Sequence, residues 1–193
     1  MTGDRASRLL EIEQSGLQPD RVDAPALVLG VFLDERPLRG AAGLVDWRMN
    51  GYVSRLLLAR RLSGEANEST LVATQGRVRP GAVLLVGLGA RSLYGIDRIA
   101  DITSAVTRML QKLRVFEFAL EVPGTRLLGL DPAESSYNAV KGIVKVLSAS
   151  DPSQGRMHVT FLEPPASSAR LRFGLRKAQT NFEGRVQIAL APG

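Results

Sequence analysis

The side chains that usually perform enzyme chemistry are scarce in this sequence. Among its 193 residues there is no cysteine, which excludes thiol catalysis, disulfide bonds and thiolate metal sites. His158 is the only histidine, so a metal site or general base at this position has no second imidazole to support it. No GxSxG segment places a nucleophilic serine, although a triad assembled in space stays open as an alternative. We therefore expect a structural or surface role for His158, and we assign no catalytic residue, metal or cofactor.

The loop from Gly87 to Ser92 is the strongest candidate for binding a small molecule. Gly87, Gly89, Arg91 and Ser92 follow a strongly apolar run and precede a helix pattern, so backbone N–H groups could hold an anion there. The loop matches neither GxxxxGK[ST] nor GxGxxG, and glycines also let a chain leave a strand tightly. We favour the tight exit from the strand and keep ligand binding as the alternative.

Positive charge is concentrated near the end of the chain. Arg170, Arg172, Arg176 and Lys177 lie on a predicted helix, where positions 172 and 176 share a face. The formal net charge of +6 and the pI near 10.3 would favour acidic partners. Because Phe173 is the one aromatic residue among these cations, we favour a solvated helix face or an acidic protein partner over nucleic acid.

Apolar patterns predict the elements that must position these residues. Bounded apolar runs predict strands at 25–33, 70–74, 82–89, 116–122, 157–163 and 185–191. Helical patterns are found at 4–15, 47–62, 96–113, 166–180 and after Asp131, and Asp46 and Asp131 are predicted N-caps. The alternation predicts an α/β fold, with a mainly parallel or mixed sheet covered by helices on both faces.

Length and composition indicate one ordinary globular domain spanning residues 1–193. Hydrophobic residues make up 45% of the chain and charged residues 23%. No apolar run approaches the roughly 18–20 residues that would span a bilayer, and the beginning of the sequence has no apolar leader core. We expect a cytoplasmic protein with no membrane contact.

The segment from Ala26 to Gly89 resembles the amino-terminal domain of the leucyl aminopeptidases, the M17 peptidase family. An apolar strand is followed by DERPLRGAAGLVDWRMNGYVSRLL and then by the strand LLVGLG, and the resemblance covers roughly Asp23 to Leu147. It implies a macrodomain-like, three-layer α/β/α fold that assists assembly and regulation without chemistry of its own. The signature NTDAEGR of the family's catalytic half does not occur here. We therefore expect a stand-alone domain without peptidase activity.

The resemblance also bears on RGAAG, residues 39–43. Gly40 and Gly43 resemble, in position, the glycine-rich loop of ADP-ribose-binding macrodomains. The asparagine-rich strand end of active macrodomains is replaced by Gly30, Val31 and Phe32, which offer no side chain to hydrogen-bond a ribose. A flexible connection between strand and helix is the favoured interpretation.

Our leading hypothesis is a non-catalytic interaction module that binds another protein or a second copy of itself. The expected contacts are the glycine loop of residues 39–43, Trp47 and the basic helix at 170–177, because tryptophan and clustered arginines are frequent interface anchors. A core position for Trp47 is equally open. The alternatives are a nucleotide or ADP-ribose module, and a DNA-binding accessory protein, since some M17 enzymes bind DNA through their amino-terminal domain.

Overall fold

The computed structural model describes residues 8–151 and 155–191. Its strands are β1 Leu9–Ser15, β2 Ala26–Phe32, β3 Ser69–Ala73, β4 Ala82–Gly89, β5 Glu117–Leu120, β6 Arg156–Leu162 and β7 Gln187–Leu190. Its helices are α1 Gly40–Arg48, α2 Tyr52–Leu58, α3 Arg98–Lys112, α4 Thr125–Leu128, α5 Pro132–Ala149 and α6 Pro165–Phe182, with a short 3₁₀ helix at Arg91–Leu93. The seven strands form one sheet in the order β3-β4-β2-β5-β6-β1-β7. Only β3 runs antiparallel to its neighbour, so the predicted α/β fold with a mixed sheet is confirmed.

One face of the sheet is covered by α3, α5 and α6 from β4 to β7. Alternate strand residues point into this core, which includes the fully buried Phe118 and Phe161. The amphipathic pattern that predicts α3 places Ile99 and Leu110 against the same core. This face therefore holds the larger of the two hydrophobic clusters.

The opposite face is covered over only part of its width. There α1 and α2 pack on β2 and β4 through a second cluster that includes Leu27, Val45 and Leu85. Beyond it, the same face of β6, β1 and β7 carries polar residues such as Glu13, His158 and Gln187. The predicted helical layer on this second face is thus formed by α1 and α2, which pack on β2 and β4.

The helices on the covered face approach each other closely at small residues. The Ser104 hydroxyl of α3 donates a hydrogen bond to the Gly142 carbonyl of α5, at 2.9 Å. A Cβ atom placed on Gly142 would lie 2.1 Å from Thr103 Oγ1 and 2.3 Å from the Ala100 carbonyl oxygen. Glycine at position 142 is therefore required by the packing of α5 against α3.

The predicted helix at 4–15 is wrong where the structure describes it. Residues 9–15 form β1, and residues 4–7 lie outside the described part of the chain. In LLEIEQS, Leu10 and Ile12 face the core, and β6 and β7 pair with β1 on its two sides. Strand pairing on both sides thus outweighs the helical preference predicted for this short amphipathic segment.

The predicted boundaries around Asp46 are also wrong. The structure has α1 where a loop was expected at 40–46, and α2 begins at Tyr52 rather than forming one helix over 47–62. Asp46 is inside α1 and buried, and its carboxylate accepts hydrogen bonds from the backbone N–H and hydroxyl of Ser54, at 3.0 and 2.5 Å. It therefore satisfies an N–H of the first turn of α2, the role expected of a cap, from eight residues away.

The remaining predicted elements are confirmed with small shifts at their ends. Asp131 caps α5 by accepting from the N–H groups of Ala133 and Glu134. Within residues 8–151 and 155–191, no helix combines the length and apolar character needed to cross a bilayer.

Candidate functional site

The loop at 87–92 uses its backbone N–H groups within the protein. Gly87 N donates to the Glu68 carbonyl at 2.8 Å, and Gly89 N donates to the Gly64 carbonyl at 2.9 Å. Arg91 N donates to the carboxylate of Asp34 at 3.1 Å. These three groups are not free to hold an anion, whereas Ser92 is exposed on the short 3₁₀ helix. Ligand binding at this loop stays a prediction, and three of its expected N–H donors are already engaged.

Carboxylates line the region where β2 ends. Glu35 is buried with neither carboxylate oxygen hydrogen-bonded within the described chain. Burial raises the pKa of Glu35, and the positive charge of Arg91 opposes part of this rise. Arg36 and Arg39 also act on Glu35, so the region where β2 ends carries charges of both signs.

A cleft of about 390 Å³ opens at the carboxyl ends of β1, β5 and β6. Its walls include Gly40 at the beginning of α1, Leu44, and the carboxylates of Glu121 and Glu163. Crevices at the carboxyl ends of parallel strands are the usual ligand sites of open α/β sheets. Among the described residues, this cleft is therefore the pocket whose position in the sheet best matches a ligand site.

The two carboxylates of this cleft influence each other electrostatically. Glu121 is 13% exposed, with Oε1 3.7 Å from Arg126 Nη1 and Oε2 buried without a hydrogen-bond partner in the described residues. Burial raises the pKa of Glu121 to about 7, the Arg126 charge lowers it, and Glu163 raises it further. Glu163 is also buried and accepts a short hydrogen bond from the Ser167 hydroxyl. The cleft therefore carries acidic groups beside one arginine.

The segment RGAAG begins α1 rather than forming a flexible loop. Gly40 has a left-handed φ of 56° and lines the cleft. A Cβ atom on Gly43 would lie 2.5 Å from the Leu38 carbonyl oxygen. Gly43 is thus required by local packing, and only Gly40 borders a space that a ligand could enter.

The hairpin of α1 and α2 presents aromatic and basic side chains to solvent. Trp47 is 67% exposed, which settles the choice between a core and a surface position. The Arg48 guanidinium lies 4.7 Å from its ring centroid, and Arg55 lies 5.7 Å from that of Tyr52. We define the α1–α2 surface as the exposed side chains of Trp47, Tyr52, Arg55, Leu58, Arg60 and Arg61.

This surface has little negative charge to neutralise it. Residues 47–64 contain four arginines and no acidic residue. Arg48 pairs with Asp20 at 2.9 Å, but Arg55, Arg60 and Arg61 form no ion pair with a described acidic side chain. The α1–α2 surface is therefore both apolar and cationic.

The basic residues of α6 do not form one continuous stripe. Arg170 pairs with Asp131 at 2.7 Å, and Arg172 donates to the Gln14 side chain at 3.3 Å on the β1 side of the helix. Lys177 lies 5.2 Å from the ring centroid of Tyr137, which belongs to α5. Arg176 is exposed and borders the same groove as Arg172. The four cations are thus divided between two sides of α6.

His158 lies on the polar, uncovered part of the second sheet face. Its Nε2 is 3.7 Å from Glu13 and its Nδ1 is 3.8 Å from Glu117. These separations exceed hydrogen-bond distance, and no set of three metal-ligating side chains is found among the described residues.

The sequence interpretation overlooked the buried acids Glu35, Glu121 and Glu163. Glu121 and Glu163 directly follow the apolar strands β5 and β6, and Glu35 follows β2 closely. Because the carboxyl ends of parallel strands lie at one edge of a sheet, an acid placed after each of several apolar runs is a signal that could have identified this group.

Comparison with known proteins places this architecture among characterised families. Residues 28–148 match the model of the cytosol aminopeptidase family, N-terminal domain. A probable cytosol aminopeptidase of Halorhodospira halophila is 31% identical over 124 residues, covering 64% of this chain and 25% of the relative. The chain spans about a quarter of the length of the curated relatives it matches.

Solved structures of the same fold share little sequence with this chain. A mutant of tomato leucine aminopeptidase superposes with a TM-score of 0.62 and 15% identity, covering 91% of this chain and 37% of that one. The Trypanosoma brucei macrodomain in complex with ADP superposes with a TM-score of 0.64 and 12% identity, covering 85% and 67%. At these identities the likeness shows the fold, which is the predicted macrodomain-like arrangement.

Proposed function

Because this chain belongs to the cytosol aminopeptidase family through its N-terminal domain, we propose that it is a non-catalytic docking module that binds an acidic surface on a protein partner. The observation that carries the proposal is Trp47, a large aromatic side chain that is 67% exposed on the α1–α2 surface, with the Arg48 guanidinium 4.7 Å from its ring centroid. Tryptophan, tyrosine and arginine are the residues most enriched among those that dominate binding energy at protein interfaces.

Charge supports an acidic partner. Arg55, Arg60 and Arg61, which form no ion pair with a described acidic side chain, are exposed in the same helical hairpin as Trp47 and Leu58. Opposite charges across an interface accelerate association and fix its orientation, and buried aromatic area supplies most of the affinity. A partner with carboxylates around an apolar pocket would match both properties.

We assign no peptidase chemistry to this chain, because the family match is to an N-terminal domain. The match lies within the family's N-terminal domain, and the curated relatives align with this chain over about a quarter of their length. Aminopeptidase is the name of those relatives as whole proteins. We therefore do not assign aminopeptidase activity to this chain.

Replacing Trp47 by alanine is the direct test. We expect Trp47→Ala to weaken partner binding by about 10- to 100-fold, because truncation removes a central aromatic anchor. The folded domain should change in stability by no more than about 0.5 kcal/mol, since the side chain is mostly exposed. Capture from nuclease-treated native lysate, followed by titration of the recovered protein, measures the first effect, and urea unfolding measures the second.

Phe173→Ala is the matched control, because Phe173 is also aromatic and 62% exposed but lies on α6. The control should retain the partner with unchanged affinity. The proposal fails if every recovered protein binds Trp47→Ala as well as the wild type, or if only nucleic acid is recovered before nuclease treatment and nothing afterwards.

A nucleoside diphosphate such as ADP-ribose is the second candidate ligand. It is favoured by the position of Gly40 and the beginning of α1 beside the cleft, since a helix N-terminus attracts phosphate. The carboxylates of Glu121 and Glu163 oppose it. We therefore expect calorimetric titration with ADP-ribose at millimolar concentration to give no binding to the wild type, and saturable heat would establish this second function.

A further inference from the structure

The two edges of the sheet differ in whether the backbone groups that point away from the sheet are hydrogen-bonded. At the β7 edge, Gln187 N and Ala191 N donate inward to the Arg8 and Ile12 carbonyls, so the peptide groups of Ile188 point outward. The Gln179 side chain of α6 donates to the Ile188 carbonyl at 2.8 Å. The Gln179 side chain therefore binds a carbonyl oxygen of β7 that points away from the sheet.

The β3 edge has no comparable cover. Gly87 N donates to the Glu68 carbonyl, and Thr74 N donates to the Gly81 carbonyl at 3.2 Å. In an antiparallel pair the hydrogen-bonding residues alternate, so Thr70 and Val72 also face β4. The N–H and C=O groups of Ser69, Leu71 and Ala73 consequently point away from the sheet, where no described strand pairs with them.

The strand lacks the features that usually block such an edge. Residues 69–73, STLVA, contain no charge and no proline. The register runs without a bulge from Ser69 opposite Val86 to Ala73 opposite Ala82. Leu71, at the centre, is 47% exposed. An uncharged, regular edge strand with free donors and acceptors is a template for pairing with another strand.

We propose that β3 pairs antiparallel with β3 of a second copy of this chain, across a twofold axis at Leu71, which joins two seven-stranded sheets. Leu71 then lies opposite Leu71 of the second copy, and Ser69 of each copy lies opposite Ala73 of the other. Each of these three pairs exchanges two backbone hydrogen bonds, about six in total. The two exposed leucine side chains meet on the same face of the joined sheet.

The strand itself favours a second copy as the occupant. With the twofold axis at Leu71, the outward N–H and C=O groups of Ser69, Leu71 and Ala73 meet the same three residues of the other copy, so one contact satisfies both edges. Because residues 69–73 carry no charge, the paired strands bring no like charges together, although each chain has a net charge of +6. The interface is independent of the α1–α2 surface and does not rest on the proposed docking function.

Sedimentation over a range of protein concentrations tests the proposal on the full chain. We expect the wild type to shift with concentration from the mass of one chain to that of two. Leu71→Lys should raise the dimer dissociation constant by at least about tenfold, because it places like charges directly opposite each other. Leu93→Lys is the control: Leu93 is 78% exposed on the 3₁₀ helix, away from the edge, and its variant should dimerise like the wild type.

Hydrogen exchange supplies a second measurement that does not depend on a variant. The amide of Leu71 should exchange slowly at concentrations where the dimer forms and rapidly where it does not, whereas that of Val72, which faces β4, should be protected at both. A wild type with the mass of one chain at all concentrations, or a Leu71→Lys variant that dimerises as tightly as the wild type, would overturn the proposal.

Discussion

Gly142→Ala is expected to lower the free energy of unfolding by about 3 kcal/mol, although alanine is the better helix former by about 1 kcal/mol. The reason is the close approach of α3 and α5. A methyl group at position 142 would overlap Thr103 Oγ1 and the Ala100 carbonyl oxygen, and the carbonyl cannot move without distorting α3. The two helices would have to separate, which would also break the hydrogen bond from Ser104 to the Gly142 carbonyl. Urea unfolding measured by circular dichroism gives the difference.

Gly95→Ala provides the comparison, because a Cβ atom at that position meets no atom within 4 Å. We expect this variant to unfold within about 0.5 kcal/mol of the wild type. If Gly142→Ala proved as stable as the wild type, the close packing of α5 on α3 would be incorrect.

Glu121→Gln is expected to stabilise the protein at alkaline pH and to have little effect at acidic pH. The folded-state pKa of Glu121 is raised to about 7 from an ordinary value of 4.5. Between these values the folded protein keeps a proton that the unfolded chain has released, so stability falls as pH rises from 4.5 through 7. The cost reaches about 3 kcal/mol at pH 8. Glutamine is neutral throughout and removes that cost, although it also loses the attraction to Arg126.

The measurement is the difference in unfolding free energy between variant and wild type at pH 4.5 and at pH 8. Glu183→Gln, at an exposed position after α6, should show nearly the same small difference at both values. A Glu121→Gln variant that is less stable than the wild type at pH 8 would mean that the carboxylate is charged and favourably bound in the folded protein.

The sequence predicts most of the fold because most elements carry a complete local signal. The apolar run at 82–89 matches β4 at both ends, and Asp131 with Pro132 marks the beginning of α5. β1 was missed because the apolar spacing of its seven residues fits both a helix and a strand. Only its pairing with β6 and β7 decides between the two. The boundary between α1 and α2 was missed because Asp46 acts on α2 across a turn.

The candidate sites were predicted less completely, because their properties depend on contacts between distant segments. Arg91 could be recognised beside a glycine loop, but its backbone bond to Asp34 joins the ends of two strands. The acids of the cleft become a group only when β5 and β6 are adjacent. Whether Trp47 and the β3 edge are exposed likewise depends on which segments pack beside them in the folded chain.

The position of β1 has a consequence for how the chain is made. β1 leaves the ribosome before every other strand described here, yet its two neighbours, β6 and β7, are the last to emerge. At about 5–20 residues per second, this strand waits on the order of ten seconds for a partner, while β2 to β5 can already assemble. We expect nascent chains that stop before residue 156 to display an unpaired β1, which makes this strand the natural substrate of chaperones during synthesis.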